Sequence, residues 1–341
     1  MQIKTSSRLH INLLDLSGDY NRAYGGIGFT INDPEFILNA EPSEKTVSVE
    51  CETKSTKAQN ISEHLLKIKT SAEKVINHFN IDHGYHFNIL KCYPAHSGLG
   101  SGTQMALATA RIICEMENID ISTPELSVIV GRGVRSWIGT YAFDNGGFIV
   151  EGGHPYNTQL KKNITRDEIP FEDPTLTEGL IGRKSTLLNR LDFPEDWNVI
   201  VSIPEADNTI TGTKEKEIFR KTCPIKPGDA EKLSYIILMN VIPFLKEHNL
   251  EKFGKAINEI QELGFTKVDI DYQPPQVSNL ITKLQENEDV ACAGLSSWGP
   301  AVFSVTDKNP KDIAKNATEI TDGNCTNFIT KGKNTGYELI K

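Results

Sequence analysis

The sequence has no apolar run approaching the ~18 residues of a membrane span, so a membrane-spanning helix is not expected. It also lacks any Cys-x-x-Cys spacing. Its six cysteines (Cys51, Cys92, Cys114, Cys223, Cys292, Cys325) are scattered, and none has a histidine at zinc-ligand distance, so they read as reduced thiols rather than a zinc cage or disulfide framework. No secretory leader is recognisable at Met1-Gln-Ile-Lys-Thr5, and there are no repeats or low-complexity tracts; the expected location is cytoplasmic. Positive charge is not in excess. With 36 Lys and Arg against 45 Asp and Glu, the formal net charge is −9, which argues against a general nucleic-acid or membrane-surface binder and confines any anion site to a local pocket. A hydrophobic content of 38% with 24% charged residues excludes a disordered or fibrous chain, and 341 residues suffice for two modest domains.

What is present is a segment, Pro94-Ala-His-Ser-Gly-Leu-Gly-Ser-Gly-Thr-Gln104, that packs three glycines and three hydroxyls between a strand pattern and a helix pattern. Upstream, Phe87 and Ile89 alternate with polar residues; downstream, Met105, Ala108, Ile112 and Met116 recur at helical spacing. The loop therefore ends at a helix N-terminus, where unpaired backbone N–H groups and the positive end of the dipole suit a phosphate or diphosphate. Ser97, Gly98, Leu99, Gly100, Ser101, Gly102 and Thr103 are the phosphate-binding candidates. Two blander readings compete: a glycine-rich turn serves sterics alone, or Ser101 or Thr103 caps the helix.

Along the chain, residues 1–155 are rich in short β-like runs and glycine turns and read as one catalytic-type domain. Residues 156–197 are polar and proline-punctuated, an irregular connection that doubles as a lid. From 198 to 341 a second domain is expected. It begins with a strand at Asn198–Pro204 and continues with two helical stretches between 230 and 263, the second carrying Phe253, Ile257, Ile260 and Leu263 on one face. A helix near 276–287, a strand, glycine loop and strand across Val290–Val305, a helix near 310–320 and two terminal strands follow. This is an α+β pattern with helices stacked on a mostly antiparallel sheet.

The Gly-Leu-Gly-Ser-Gly-Thr103 loop and Gly294-Leu-Ser-Ser-Trp-Gly-Pro-Ala-Val-Phe303 match the second and third motifs of the GHMP kinase superfamily, which the chain resembles. Within it, the chain is most similar to the β-ribofuranosylaminobenzene 5′-phosphate synthases of archaeal methanopterin biosynthesis. The similarity runs nearly end to end, through Ser7-Arg-Leu-His10, Gly25-Gly-Ile-Gly28, Gly131-Arg-Gly133, Ala142-Phe143, Gly152-Gly-His154, Cys223-Pro224 and Leu263-Gly-Phe265. The resemblance implies a GHMP kinase-like fold, with an N-terminal ribosomal-protein-S5-like domain and a C-terminal ferredoxin-like α/β domain. It implies a homodimeric pentosyltransferase, in which phosphoribosyl diphosphate and 4-hydroxybenzoate or 4-aminobenzoate give an aryl riboside 5′-phosphate, CO2 and diphosphate with Mg2+.

Two alternatives stay open: an ATP-using small-molecule kinase of the superfamily, and a non-catalytic binder of a phosphorylated metabolite. Against the first, the superfamily's kinases deliver a catalytic aspartate in a Pro-Ser-Gly-hydrophobic-Asp segment, and Gly139 of Arg135-Ser-Trp-Ile-Gly139 stands at that place here, with Asp144 the nearby carboxylate. The same segment departs from the synthases by its Arg135 and Trp137, and Tyr24 replaces an aspartate common in that family.

The remaining candidates follow from residue chemistry and these matches. Arg8 and His10 alternate on an N-terminal strand and share one face; with His96 and Arg132 they form the expected catalytic set. Arg135 joins the phosphate ligands because a guanidinium fork matches phosphate, while Arg22, Gly25, Gly26 and Trp298 are expected at the substrate. Asp15, Asp19 and Asp144 are the candidate partners of Mg2+. Lys214 and Glu217 are placed to close over the site from the second domain, and His154 either faces the cleft or satisfies the core.

Overall fold

The computed structural model describes residues 1–52, 58–155, 184–205 and 212–340. Its first layer starts from two long strands, β1 (Gln2–Asp15) and β2 (Arg22–Ser43), which pair antiparallel and bury Ile3, Leu9, Ile27, Phe29 and Ile31 on alternate positions within long buried runs. The register slips between Ser6 and Arg8 and again between His10 and Asn12. Such irregularities twist a strand and re-aim its side chains, and these two bracket Arg8 and His10.

A parallel pair follows, β3 (Val47–Cys51) beside β4 (Gly84–Lys91), linked across α1 (Ala58–Phe79). Helix α1 turns His64, Ile68, Ala72 and Val75 inward, at spacings of four, four and three. Next come α2 (Ser101–Met116), α3 (Thr123–Ile129) and α4 (Ile138–Asn145). Strands β5 (Phe148–Glu151) and β6 (His154–Pro155) return to β2, and two later strands, at Leu187–Leu191 and Glu338–Ile340, complete an eight-stranded sheet among the described residues.

Part of the expected irregular connection is ordered: β7 (Leu187–Leu191) pairs antiparallel with β5. Its Leu-Leu-Asn-Arg-Leu order lacks alternation, and Leu188 is exposed, so no strand signal was present. Residues 156–183, where the lid reading falls, lie outside the described residues.

The second layer is a four-stranded sheet in the order β11 (Cys325–Lys331), β8 (Asn198–Pro204), β10 (Val302–Thr306), β9 (Cys292–Leu295), antiparallel throughout. The strand at Asn198–Pro204 and the helices near 276–287 and 310–320 form as expected, at Pro275–Gln285 and Pro310–Ile320. The helical stretches between 230 and 263 are more broken: Pro227–Ile236 passes through a π-turn at Ile237–Val241 into Ile242–Lys246, and a separate helix spans Leu250–Gln261. Pro243, at the start of Ile242–Lys246, has no N–H to continue the i−4 ladder, which accounts for the slipped turn.

The last strand, β12 (Glu338–Ile340), pairs with β1 and not with the second sheet, so the chain's end belongs to the first layer. The layers share a core. Phe29 stacks on Phe193 at 4.3 Å and meets Phe303 edge-on at 6.3 Å, and Phe253 packs against both Phe148 and Phe193. No helix among the described residues is long and apolar enough to cross a membrane.

Candidate active site

The glycine loop after β4 opens directly onto α2. Gly98 and Gly100 adopt φ of 90° and 79°, a region other residues enter only with strain. Gly100 is the N-cap of α2; its carbonyl accepts from the N–H groups of Thr103 and Gln104 at 3.0 and 3.1 Å, and no side chain caps the helix. The capping roles considered for Ser101 and Thr103 are therefore not taken up, and the helix end faces a cavity of about 440 Å³ lined by Gly98, Gly100, Ser101, Gly102 and Thr103. Two residues of the expected cradle do not line it. Ser97 is buried and donates to Pro94 O at 2.8 Å, and Leu99 is fully buried with its carbonyl accepting from Arg8 N at 3.1 Å.

The opposite wall comes from the second layer. Ser296 Oγ donates to Gly98 O at 2.8 Å, Ala301 N to Ser97 O at 3.1 Å and Ser297 N to His10 O at 3.0 Å. The approach is so close that a Cβ on Gly299 would stand 2.0 Å from Gly98 N, and one on Gly98 2.1 Å from Ser296 O. Ser297, Trp298 and Gly299 thereby enter the cavity wall, with Trp298 held edge-on by Phe265 at 5.4 Å and against Phe219 at 5.6 Å.

Three cations converge on the helix end. Arg8 donates through Nη1 to Gly98 O at 2.6 Å, while its Nε is buried without a partner. Arg132 reaches across Gly102, where a Cβ would lie 2.4 Å from Nη2, and its Nε is likewise buried without a partner. Lys67 of α1 lines the same cavity. None of the three has an ion-pair partner among the described residues. Burial, the largest influence on each, depresses all three: Arg8 falls to about 10, with Tyr93 opposing and Arg132 adding to the drop, and Lys67 is lowered further by Arg132 and Lys74. The structure thus gathers three cations without ion-pair partners where the helix dipole is also positive, while the cavity's Glu63 and Glu215 are paired with His96 and Arg135.

Other expected residues take different places. His10 stands behind the cavity wall; its Nε2 lies 3.2 Å from Ser136 Oγ, and burial followed by the Arg8 charge lowers its pKa to about 3, so the ring is neutral. His96 is on the rim, paired with Glu63 at 2.8 Å. Arg135 is engaged elsewhere: it pairs with Glu215 and lies 4.6 Å over the Phe219 ring, so its charge is not free for a phosphate. Arg22 donates to Gly152 O at 2.6 Å and Gly153 O at 2.7 Å, fixing a strand corner away from the cavity. Gly25 and Gly26 permit close strand packing, a Cβ on Gly26 falling 2.1 Å from Asn12 O, and neither lines the cavity. Trp137 is buried beneath Gly133, so the bulk that distinguishes this segment points inward. His154 is fully buried, edge-on to Tyr24 at 6.1 Å.

The three aspartates do not assemble. Asp15 accepts from Ser17 N and Oγ at 2.8 and 2.7 Å, Asp19 is exposed, and Asp144 accepts from Thr123 Oγ1 at 2.5 Å at the far end of α4. Among the described residues no group of three or more His, Cys, Asp or Glu side chains is placed to hold a metal ion. Asp144 also does not line the cavity, so it does not replace a kinase aspartate. At Gly139 a built Cβ lies 3.1 Å from Thr103 Cγ2, beside the cavity, and no carboxylate arises there.

The sequence reading missed Glu63, His64 and Lys67 on α1, and Glu215. Glu215 lies one residue from Lys214, which was expected to face the site; Lys214 and Glu217 are exposed, and Glu217 pairs with Lys221 at 2.7 Å. One residue is a 100° turn on a helix, enough to exchange inward for outward. Nothing in sequence sets Lys67 apart from the other lysines of α1; only the crossover from β3 to β4 lays that face over the glycine loop.

Comparison with known proteins gives the chain's family and fold. Residues 66–147 match the GHMP kinases N terminal domain and residues 241–320 the GHMP kinases C terminal domain. The chain is 39% identical over 339 residues to the β-ribofuranosylphenol 5′-phosphate synthase of Methanothermobacter thermautotrophicus, covering 99% of this chain and 98% of that one. It is 33% identical over 342 residues to the protein of the same name from Archaeoglobus fulgidus, covering 99% of each. Among solved structures, the fold resembles L. major mevalonate kinase in complex with R-mevalonate, with a TM-score of 0.69 at 12% identity over 98% of this chain and 97% of that one.

Proposed function

We propose, from the premise that this chain belongs to the β-ribofuranosylphenol 5′-phosphate synthase family on the GHMP kinase fold, that it is a decarboxylating phosphoribosyltransferase of methanopterin biosynthesis. Phosphoribosyl diphosphate is the donor and 4-hydroxybenzoate or 4-aminobenzoate the acceptor. The observation that carries this reading is the group of unpaired cations at an uncapped helix N-terminus, an arrangement suited to a diphosphate.

The chemistry needs little beyond binding and charge. The bond from ribose C1 to the diphosphate oxygen breaks, and Arg8, Arg132 and the first turn of α2 take up the charge that develops on the leaving group. The ring carbon bearing the carboxylate attacks the oxocarbenium-like C1; the bond to the carboxylate then breaks, CO2 departs and its electron pair restores the aromatic ring. No proton is moved at either carbon. The ring lies along Trp298, which holds it against the sugar and supplies proximity. Mg2+ would enter with the diphosphate, since the aspartates among the described residues form no cage for it. Phosphoryl transfer is disfavoured by the missing carboxylate at Gly139. Assembly as a homodimer and a cytoplasmic location belong to the same proposal.

The test is release of labelled CO2 from each carboxyl-labelled benzoate with phosphoribosyl diphosphate and Mg2+. Donor-dependent release with matching aryl riboside supports the reading and identifies the acceptor. A protein that binds the donor yet releases CO2 from neither acid refutes it.

A further inference from the structure

Helix α1 contributes to the cavity in a way that catalysis as described above leaves unused. Two of its lysines share a face, seven residues apart. Lys74 is engaged, donating to Val130 O at 3.1 Å at the end of α3. Lys67 is not: its ammonium has no hydrogen bond or ion pair among the described residues, it lines the cavity, and its Cε stands 3.9 Å from the position of a Cβ built on Gly102, the residue that Arg132 crosses. One turn away, His64 lines the same cavity, and both of its ring nitrogens are buried without a partner. A partly buried ammonium beside an arginine, with no ion pair of its own because Glu63 is taken up by His96 and Glu215 by Arg135, gains from an arriving anion.

We propose that Lys67 is the third phosphate ligand of the donor site, closing on the diphosphate from α1 across the first turn of α2 from Arg8, with His64 as the polar wall beside it. This rests on the donor assigned above. Two guanidinium groups and a helix end leave part of the charge of a diphosphate unmatched; among the described residues Lys67 is the lysine that lines the cavity, and its flexible stem lets it follow the phosphate while the arginines hold fixed forks. Burial and the neighbouring Arg132 and Lys74 charges lower the pKa of Lys67, against a smaller opposing effect of Glu63, so an arriving anion relieves part of an existing repulsion.

Titration calorimetry with phosphoribosyl diphosphate and with inorganic diphosphate, each with Mg2+, separates the possibilities. Lys67→Met should weaken both ligands by about 10- to 100-fold, Lys67→Arg should retain most of the affinity, and Lys69→Met, an exposed position on the same helix, should bind as the unaltered protein does. His64→Phe should weaken binding less than Lys67→Met, with an unchanged melting temperature showing that α1 stays packed. If Lys67→Met binds both ligands normally, or falls no further than Lys69→Met, the assignment of Lys67 is overturned while the donor reading stands. If the unaltered protein binds neither ligand, the donor reading itself fails and Lys67 falls with it.

Discussion

The two glycine loops that meet at the cavity use glycine for different physical ends. In the loop before α2, Gly98 and Gly100 supply left-handed backbone and leave a helix end open to a ligand. In strand β9 and the loop after it, Gly294 and Gly299 have no such dihedral; they are small because a Cβ would strike Gln261 at 2.5 Å or the Gly98 backbone at 2.0 Å. Gly100 shapes the first loop for binding, whereas Gly299, with Gly98 opposite it, lets one layer dock against the other. Two similar stretches of sequence thus carry different failures when altered.

Gly299→Ala should be the most damaging single change, because the clash is with backbone that cannot rotate away: about 3 kcal/mol of stability lost in urea unfolding. Unchanged stability would erase the distinction between the loops. Next, Ser101→Ala combined with Arg132→Ala should weaken phosphoribosyl diphosphate by about 100-fold in calorimetry while the melting curve stays close to that of the unaltered protein. Normal affinity in this folded double variant would remove the site from the first loop. Gly100→Ala should lower stability by about 1–2 kcal/mol through its left-handed φ and also displace Arg8, whose Nε lies 3.0 Å from the added carbon, so both readouts should move together. Trp298→Ala should raise the KM for the benzoate by about tenfold with little change in donor affinity; an effect on the donor alone would contradict its place beside the acceptor.

The smallest effect is a slope. His10 has a pKa near 3 in the folded chain against an ordinary 6.5, so between these values the unfolded chain takes up a proton that the folded chain refuses. Its contribution is neutral above pH 6.5 and destabilising as pH falls from 6.5 towards 3. His10→Gln should therefore flatten the decline of the urea midpoint over that window, and an unchanged slope would show that His10 is not held neutral.

Much of this was legible beforehand for identifiable reasons. The strand at Asn198–Pro204 and the helices at Ser101–Met116, Pro275–Gln285 and Pro310–Ile320 announce themselves by period and by flanking proline or glycine. Strand β7 was invisible because its leucines do not alternate, and β12 was assigned to the second domain because proximity in sequence is a poor guide to which sheet a terminal strand joins. Among site residues, Arg8, Arg132, Ser101, Thr103 and Trp298 gather at the cavity, while Arg22 and Arg135 look equally cationic in sequence and are committed to carbonyls and to Glu215.

By itself the sequence determined what is local: where the glycine loop must turn, that a helix starts immediately after it, that the kinase carboxylate is missing at Gly139, and which family the motifs belong to. The tertiary structure alone decided which charges remain unpaired. That depends on the distance between groups far apart in the chain: α1 brings Lys67 beside Arg132, Glu215 neutralises Arg135, and burial keeps His10 uncharged. Long-range electrostatics follow from packing, and packing is a property of the folded layers rather than of any single stretch of residues.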